Sequence, residues 1–160
     1  MENGLNNVAS IFKANTDIIN KAIGDVATED WFRQPGDDSN HLLWLMGHLV
    51  VHRGRTLNFL GKDWDVAWRS LFARGAERID SGEYPSVDEL RSAWSQVSAD
   101  LAAVLRDTPA EALAKAPPEG VPSFDGKLGG TVAFFAFHDT YHTGQVSYLR
   151  KWLGYGQTIG

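Results

Sequence analysis

The C-terminal segment 130–153 most constrains the fold, because its pattern predicts one long amphipathic helix with two histidines in the apolar stripe. His138 and His142 are four residues apart. At about 100° per residue, such a pair lies on one face of a helix, one turn apart. The other residues that fall within roughly 60° of His138 on the helical wheel are mostly apolar: Thr131, Phe134, Phe135, Gln145, Leu149, Trp152 and Leu153. Two imidazoles in a buried stripe need polar partners, and a shared metal ion is one solution.

Apolar residues at helical spacing predict two helices in the N-terminal part of the chain. The first runs from about Leu5 to Ile23, and Gly24 is its expected stop. The second runs from about Asn40 to Leu60, with Ser39 or Asn40 as the N-cap and Gly61 at its end. Because the second helix is apolar around most of its circumference, we expect it to lie at the centre of the fold.

The remaining elements have clear start signals. Ser86 and Glu89 form a capping box that begins a third helix, which runs to about Arg106. The sequence Thr108–Glu111 repeats this signal, with proline at the first helical position, and predicts a short helix that ends near Ala116. The fourth long helix is the segment 130–153, capped by Gly154.

Four long helices without a strand signal predict an all-α fold, a four-helix bundle formed by a single domain over residues 1–160. A long crossover joins the second and third helices. Its residues 62–85 show no clean period, and we expect them to contain a short helical turn and to form the wall of a pocket.

Composition excludes several classes of function. The formal net charge is −5 and no cluster of Lys and Arg is present, which argues against nucleic acid as a partner. No apolar run reaches the roughly 18–20 residues of a membrane span. With no signal peptide visible, we expect a cytoplasmic protein that does not bind membranes. The chain has no cysteine, so it can form neither a disulfide nor a thiolate metal site.

The second predicted helix carries the other three histidines, His41, His48 and His52. His41 and His48 are separated by about 10.5 Å of helical rise, too far to share one ion. His48 and His52 are one turn apart, and the helical wheel does not decide which of them would face the pair on the last helix. His41 is expected at the surface or in the cap region. The alternative to metal binding is a set of core histidines satisfied by carbonyls and polar neighbours.

Two further polar residues lie beside the histidine pair. Gln145 lies one turn beyond His142, where it could bond to a ligand, a metal-bound water or a substrate, or simply be satisfied by a neighbouring helix. Asp139 is expected to face solvent.

The chain resembles the DinB/YfiT-like superfamily of proposed metalloenzymes. The resemblance rests on Asn40-x-x-x-Trp44-Leu45-x-Gly47-His48-Leu49-x-x-His52 and, some 85 residues later, on His138-x-x-x-His142-x-Gly144-Gln145. It implies a four-helix bundle with one divalent metal ion, zinc or nickel, held by His48, His138 and His142. His52 then becomes a residue beside the ligands or in the pocket. Many relatives carry Arg after the final histidine, where this chain has Thr143.

The resemblance also implies a reaction and an assembly. Three histidines leave a coordination position open, as in catalytic metal sites. Some relatives transfer low-molecular-weight thiols to electrophiles, so we expect a metal-dependent thiol S-transferase that acts on small molecules, with Gln145 and His52 as candidate catalytic residues. The alternatives are hydrolysis by a metal-bound hydroxide, and a non-catalytic, stress-associated metal-binding bundle with His52 as fourth ligand. Relatives are often homodimers, and a homodimer is expected here too.

Overall fold

The fold is known from a computed structural model, which describes residues 4–159. Five α-helices follow one another in this part of the chain: α1 (Asn6–Ile23), α2 (Leu42–Phe59), α3 (Val87–Asp107), α4 (Ala110–Leu113) and α5 (Leu128–Trp152). Short 3₁₀ turns lie at Thr28–Phe32, Arg69–Phe72 and Ser81–Glu83. Residues 4–159 contain no β-strand. The predicted all-α helical bundle is therefore confirmed, and the ends of the four long helices agree with the prediction to within two residues.

The four long helices form a closed ring around one apolar core. α5 packs between α1 and α2, and α3 packs against the other sides of α1 and α2. Most of the circumference of α2 is buried, as its uniform apolar pattern predicts. Within the described residues, no helix combines the length and the apolar character needed to cross a lipid bilayer.

Three details at the helix ends differ from the prediction. The N-cap of α2 is His41, not Ser39 or Asn40, because its Nδ1 accepts the backbone N–H of Trp44 at 3.1 Å. The helix α4 ends at Leu113 and its N-cap is Pro109. Thr108 instead ends α3, where its hydroxyl donates to the carbonyl of Val104. The capping box of Ser86 and Glu89 is present as predicted.

The segment between α2 and α3 is packed onto α2 by two aromatic rings. A Cβ on Gly47 would lie 2.3 Å from the ring of Phe72, and one on Gly54 would lie 2.0 Å from the ring of Trp64. The two glycines therefore let these rings approach the backbone of α2. The segment joins helices that pack side by side, and it contains the two short 3₁₀ turns at Arg69–Phe72 and Ser81–Glu83.

Candidate metal centre

Three histidine side chains converge between α2 and α5. His48 lies on α2, and His138 and His142 lie one turn apart on α5. The Nε2 atom of His138 is 3.2 Å from Nε2 of His48 and 3.1 Å from Nε2 of His142. One ligand atom from each residue lies within 4.8 Å of the others. The structure thus brings together the three residues that the family resemblance implied as ligands.

Hydrogen bonds on the far side of two rings fix which nitrogen faces the centre. Nδ1 of His48 lies 2.8 Å from the carbonyl oxygen of Phe72, and Nδ1 of His142 lies 2.6 Å from Oε1 of Gln145. Because both partners are acceptors, each Nδ1 carries the proton and each Nε2 presents a lone pair. A donor bond of this kind from the second nitrogen is the usual way in which a metal-binding imidazole is oriented.

The donor set fits a divalent metal ion. Zinc–nitrogen distances of about 2.0–2.1 Å imply nitrogens roughly 2.9–3.4 Å apart, depending on coordination geometry, and the two Nε2 distances lie inside that range. A proton on Nε2 of His138 could form a hydrogen bond to only one of the two lone pairs that face it, those on Nε2 of His48 and His142. A metal ion among the three nitrogens would accept a lone pair from each of them.

Burial keeps these imidazoles neutral. Desolvation, with smaller contributions from neighbouring imidazoles and from Arg55, lowers the pKa of His48 to about 4 and that of His138 to about 3. The pKa of His142 is also lowered, mainly by desolvation. Neutral imidazole is the form that binds metal, so protons do not compete for these nitrogens at neutral pH.

His52 lies beside the three histidines without joining their convergence. Its ring centroid is 4.2 Å from those of His48 and His138, and Phe135 covers another side at 5.7 Å. Its Nδ1 is buried without a hydrogen-bond partner among the described residues. Burial is the main reason that the pKa of His52 falls to about 2. His52 therefore packs as a neutral ring against two of the histidines.

A buried ion pair lies directly behind the centre. Arg53 follows His52 in α2, and Asp139 follows His138 in α5. The guanidinium donates to both carboxylate oxygens, at 2.8 and 3.0 Å, and Asn15 of α1 donates to the same carboxylate at 2.8 Å. The prediction that Asp139 faces solvent was wrong, since its side chain is buried.

The same guanidinium reaches two other helices. It donates to the hydroxyls of Thr16 in α1 and Ser98 in α3, at 2.8 and 2.7 Å. One side chain thus joins the four long helices. Arg53 did not stand out as a functional residue in the sequence, although a charged residue inside an otherwise apolar helix was the available signal.

Aromatic rings pack against the histidines, and one cation lies against one of these rings. Trp44 stacks on His48, with centroids 4.7 Å apart, and Tyr141 meets His142 edge-on at 5.1 Å. The guanidinium of Arg55 lies 5.7 Å from the ring centroid of Phe135, and that ring contacts His52 and His138. Within residues 4–159, Arg55 forms no ion pair with a carboxylate.

Two grooves lie near this part of the bundle. The first, named here the Gln145 groove, has a volume of about 450 Å³ and is lined by Asn40, Leu45, Tyr141, Gly144, Gln145 and Tyr148, among others. A second groove of about 540 Å³ lies between α1 and α3, with Arg53 on its wall. No histidine lines either groove. Because Gln145 bonds to His142, the Gln145 groove lies one hydrogen-bonded side chain away from the candidate metal centre.

A sequence profile of the DinB superfamily matches residues 11–146, a span that contains all three converging histidines. This chain belongs to the DinB superfamily. The predicted family is thereby confirmed, and the histidine cluster fits a metal-binding DinB enzyme. No curated protein that was compared with the chain matches it significantly. In this DinB chain Thr143 is buried and donates to the backbone oxygen of Asp139 at 2.8 Å, so position 143 presents no cation to a substrate.

Proposed function

We propose that this DinB protein is a metal-dependent transferase that moves a low-molecular-weight thiol onto a small electrophile. The observation that carries the proposal is the convergence of three histidines, in which Nε2 of His138 lies 3.2 Å from Nε2 of His48 and 3.1 Å from Nε2 of His142. In the described part of the chain no fourth His, Asp or Glu joins the group. Three histidines around an ion leave room for an exogenous ligand, which is typical of catalytic sites.

The metal, which we propose to be zinc or nickel, supplies Lewis acidity that lowers the pKa of a bound thiol. The thiol must come from a cosubstrate, because the chain contains no cysteine. In the transfer, the thiol loses its proton to solvent, its sulfur forms a bond to the electrophilic carbon, and the leaving group departs with the bonding electron pair.

The residues around the centre have distinct roles in this proposal. The carbonyl of Phe72 and the side chain of Gln145 hold His48 and His142 in the metal-binding orientation. The ring of Trp44 is stacked on His48 and shields that imidazole from water, and exclusion of water strengthens the electrostatic interactions of the reacting groups. Gln145 thus acts through His142, as a positioning residue.

Arg55 is the cation that we propose for binding an anionic group of the electrophile or the thiol. Its guanidinium is packed over the rings of Phe59 and Phe135, at 5.8 and 5.7 Å from their centroids, so its position is partly fixed before a substrate binds. Desolvation is the main cause of the lowered pKa values of His48 and His138, and the positive charge of Arg55 makes a smaller contribution in the same direction.

The test combines metal analysis with a transfer assay. The purified protein is expected to bind one equivalent of zinc or nickel and to consume 1-chloro-2,4-dinitrobenzene only when a small thiol is added. Bound metal without thiol transfer would contradict the proposed reaction. Turnover of an ester without any thiol would favour metal-dependent hydrolysis, the alternative reaction for the same centre.

A further inference from the structure

The groove between α1 and α3, named here the α1–α3 groove, has the size of a small-molecule site and takes no part in the proposed reaction. Its volume of about 540 Å³ lies within the range of about 300–1,000 Å³ that ligand pockets usually have. Apart from Arg53, its lining residues lie at positions 9–20 of α1 and 94–105 of α3. The helical rise over these positions makes the groove roughly 16 Å long, so it suits an elongated ligand.

The two ends of the α1–α3 groove differ in polarity. At one end Trp94 of α3 donates to Asn20 of α1. One turn further along, Arg53 donates to both Thr16 and Ser98, so the two helices run antiparallel. At the end near Trp94 the other lining residues are polar: Thr16, Asn20, Ser95 and Ser98. Towards the opposite end the lining residues apart from Ser10 are apolar: Ala9, Phe12, Ala99, Leu101, Ala102 and Leu105. A ligand that fills the groove therefore needs one polar and one apolar end.

Three side chains at the polar end have hydrogen-bond donors that no acceptor in the described part of the chain uses. The hydroxyl oxygen of Ser98 accepts from Arg53, and its hydroxyl hydrogen remains available. The amide oxygen of Asn20 accepts from Trp94, which leaves its NH₂ group available. The side chain of Ser95 is exposed, and its hydroxyl is available as well. This end of the groove therefore offers donors to the oxygen atoms of a ligand.

The charged residues that line the groove are both cations. They are Lys13 and Arg53, and no Asp or Glu is among the described lining residues, although the net charge of the chain is −5. The charge of Arg53 is balanced by Asp139. Lys13, one turn before Thr16, pairs with Asp17, but the two side chains are 75% and 62% exposed. Because so exposed a pair is weak, the ammonium group of Lys13 can turn to an anion in the groove.

We propose that the α1–α3 groove binds a small amphipathic carboxylate, such as a medium-chain fatty acid, with its head at Lys13 and the polar end and its chain along the apolar end. An ionised carboxylate only accepts hydrogen bonds, which matches the donors of Lys13, Asn20 and Ser98. The apolar part, from Ser98 to Leu105, is roughly 10 Å long by helical rise, which suits a chain of medium length. The inference does not depend on the proposed reaction, because none of the three converging histidines lines this groove.

Titration calorimetry with decanoate, below its micelle concentration, tests the class of ligand. The protein is expected to bind one decanoate per chain, and to bind decyltrimethylammonium, which has the same chain and the opposite charge, about fivefold more weakly or worse. Lys13→Met keeps the length of the side chain without its charge and should weaken decanoate binding about fivefold. Lys115→Met changes an exposed lysine outside the groove and should keep wild-type affinity. Absence of saturable decanoate binding, equal binding of the two amphiphiles, or an unchanged affinity of Lys13→Met would overturn the proposal.

Ala102→Phe tests the location, because the new ring would fill the apolar end of the groove. It should weaken decanoate binding about tenfold or more. Gln96→Phe places the same ring on an exposed position of α3 that does not line the groove, and should bind decanoate as wild type does. Decanoate held by a metal ion or by exposed rings elsewhere would still bind to Ala102→Phe, and that result would refute the proposed site. Circular dichroism monitors the fold, and Lys13→Met, a change to an exposed side chain, decides if Ala102→Phe does not fold.

Discussion

Arg53 and Asp139 form a two-pronged ion pair, with N–O distances of 2.8 and 3.0 Å, directly behind the histidine cluster. The side chains of both residues are almost fully buried, at 1% and 4% exposed. Each residue is the sequence neighbour of a histidine, His52 in α2 and His138 in α5. The relative positions of the two helices, and hence of His48 and His138, therefore depend on this pair.

Removal of one member of this pair should be strongly destabilising. Arg53→Leu leaves the Asp139 carboxylate buried without its cation, and such a change costs about 3–5 kcal/mol of the free energy of unfolding. The double variant Arg53→Leu/Asp139→Leu should recover much of that loss, because no uncompensated charge remains. Urea denaturation measures the free energy of unfolding of the single and the double variant. Lys13→Ala breaks the exposed pair with Asp17 and serves as control, with a loss of less than about 1 kcal/mol. If Arg53→Leu lowered the free energy of unfolding by no more than Lys13→Ala does, this account would be contradicted.

Gln145→Leu should weaken metal binding without unfolding the protein. It removes the acceptor that holds Nδ1–H of His142, and loss of such a partner typically lowers metal affinity 10–100-fold. Competition with a chromogenic chelator measures the change. Gln96→Leu, on the exposed side of α3 with its amide bonded to Asp100, is the control and should keep wild-type affinity. An unchanged affinity of the Gln145 variant would show that His142 does not depend on this bond.

Alanine substitution separates the ligands from His52. His138→Ala removes one of the three converging nitrogens and should abolish stoichiometric metal binding. His52→Ala should retain the metal, because His52 packs against the rings of His48 and His138 and lies outside the convergent group. Elemental analysis of both purified variants is the measurement. Loss of metal from His52→Ala would indicate a closed four-histidine site and would support a non-catalytic role.

Gly47→Ala should disturb both stability and the metal centre. The new methyl group would lie 2.3 Å from the buried ring of Phe72, whose carbonyl accepts the hydrogen bond of His48. Overpacking of this kind costs about 1–3 kcal/mol, and displacement of the carbonyl should also reduce metal affinity. Gly129→Ala, where the nearest atom lies at an ordinary 3.5 Å, should be neutral or slightly stabilising. Thermal unfolding measures the stability and chelator competition measures the metal affinity. If Gly47→Ala and Gly129→Ala had the same stability and the same metal affinity, the steric argument would be refuted.

The helices could be predicted from the sequence because their signals are local. Apolar spacing defines the four long helices, and the capping box of Ser86 and Glu89 fixes the start of the third. The spacing of His138 and His142 places both on one face from helical geometry alone. The family resemblance identified His48, and not His52, as the expected ligand on α2. The helical wheel could not decide between them, because α2 is apolar around most of its circumference.

The errors concern contacts between residues that are distant in sequence. Asp139 was expected in solvent because its partner, Arg53, is 86 positions away, and a single sequence does not show which charges meet. The N-cap of α2 is His41, where Ser39 or Asn40 was predicted, although Ser and Asn have the higher intrinsic preference for this position. The ring of His41 also packs against Phe32, with centroids 5.4 Å apart, and this contact is a tertiary property.

The cap made by His41 should give the fold a sensitivity to acid. Burial, aided by the charge of Arg78, lowers the pKa of His41 from 6.5 to about 4. The folded state therefore prefers the neutral ring, whose Nδ1 accepts the N–H of Trp44. Between pH 6.5 and 4 the unfolded chain binds the proton more readily than the folded one. The stability contributed by His41 is thus fully present above pH 6.5 and is lost as the pH falls towards 4.

His41→Asn is the variant that tests this cap, because asparagine keeps an acceptor at the N-cap and does not titrate. It should be less stable than wild type at pH 7, since it loses the ring contacts with Phe32 and Tyr84. Its free energy of unfolding should nevertheless fall less steeply between pH 6.5 and 4. The difference in slope should stay below the ceiling of about 1.4 kcal/mol per pH unit for one proton. Urea denaturation at several pH values, with a chelator present in every sample, measures both slopes. The other four histidines titrate in both proteins and cancel in the comparison, so equal slopes would remove His41 as a source of acid sensitivity.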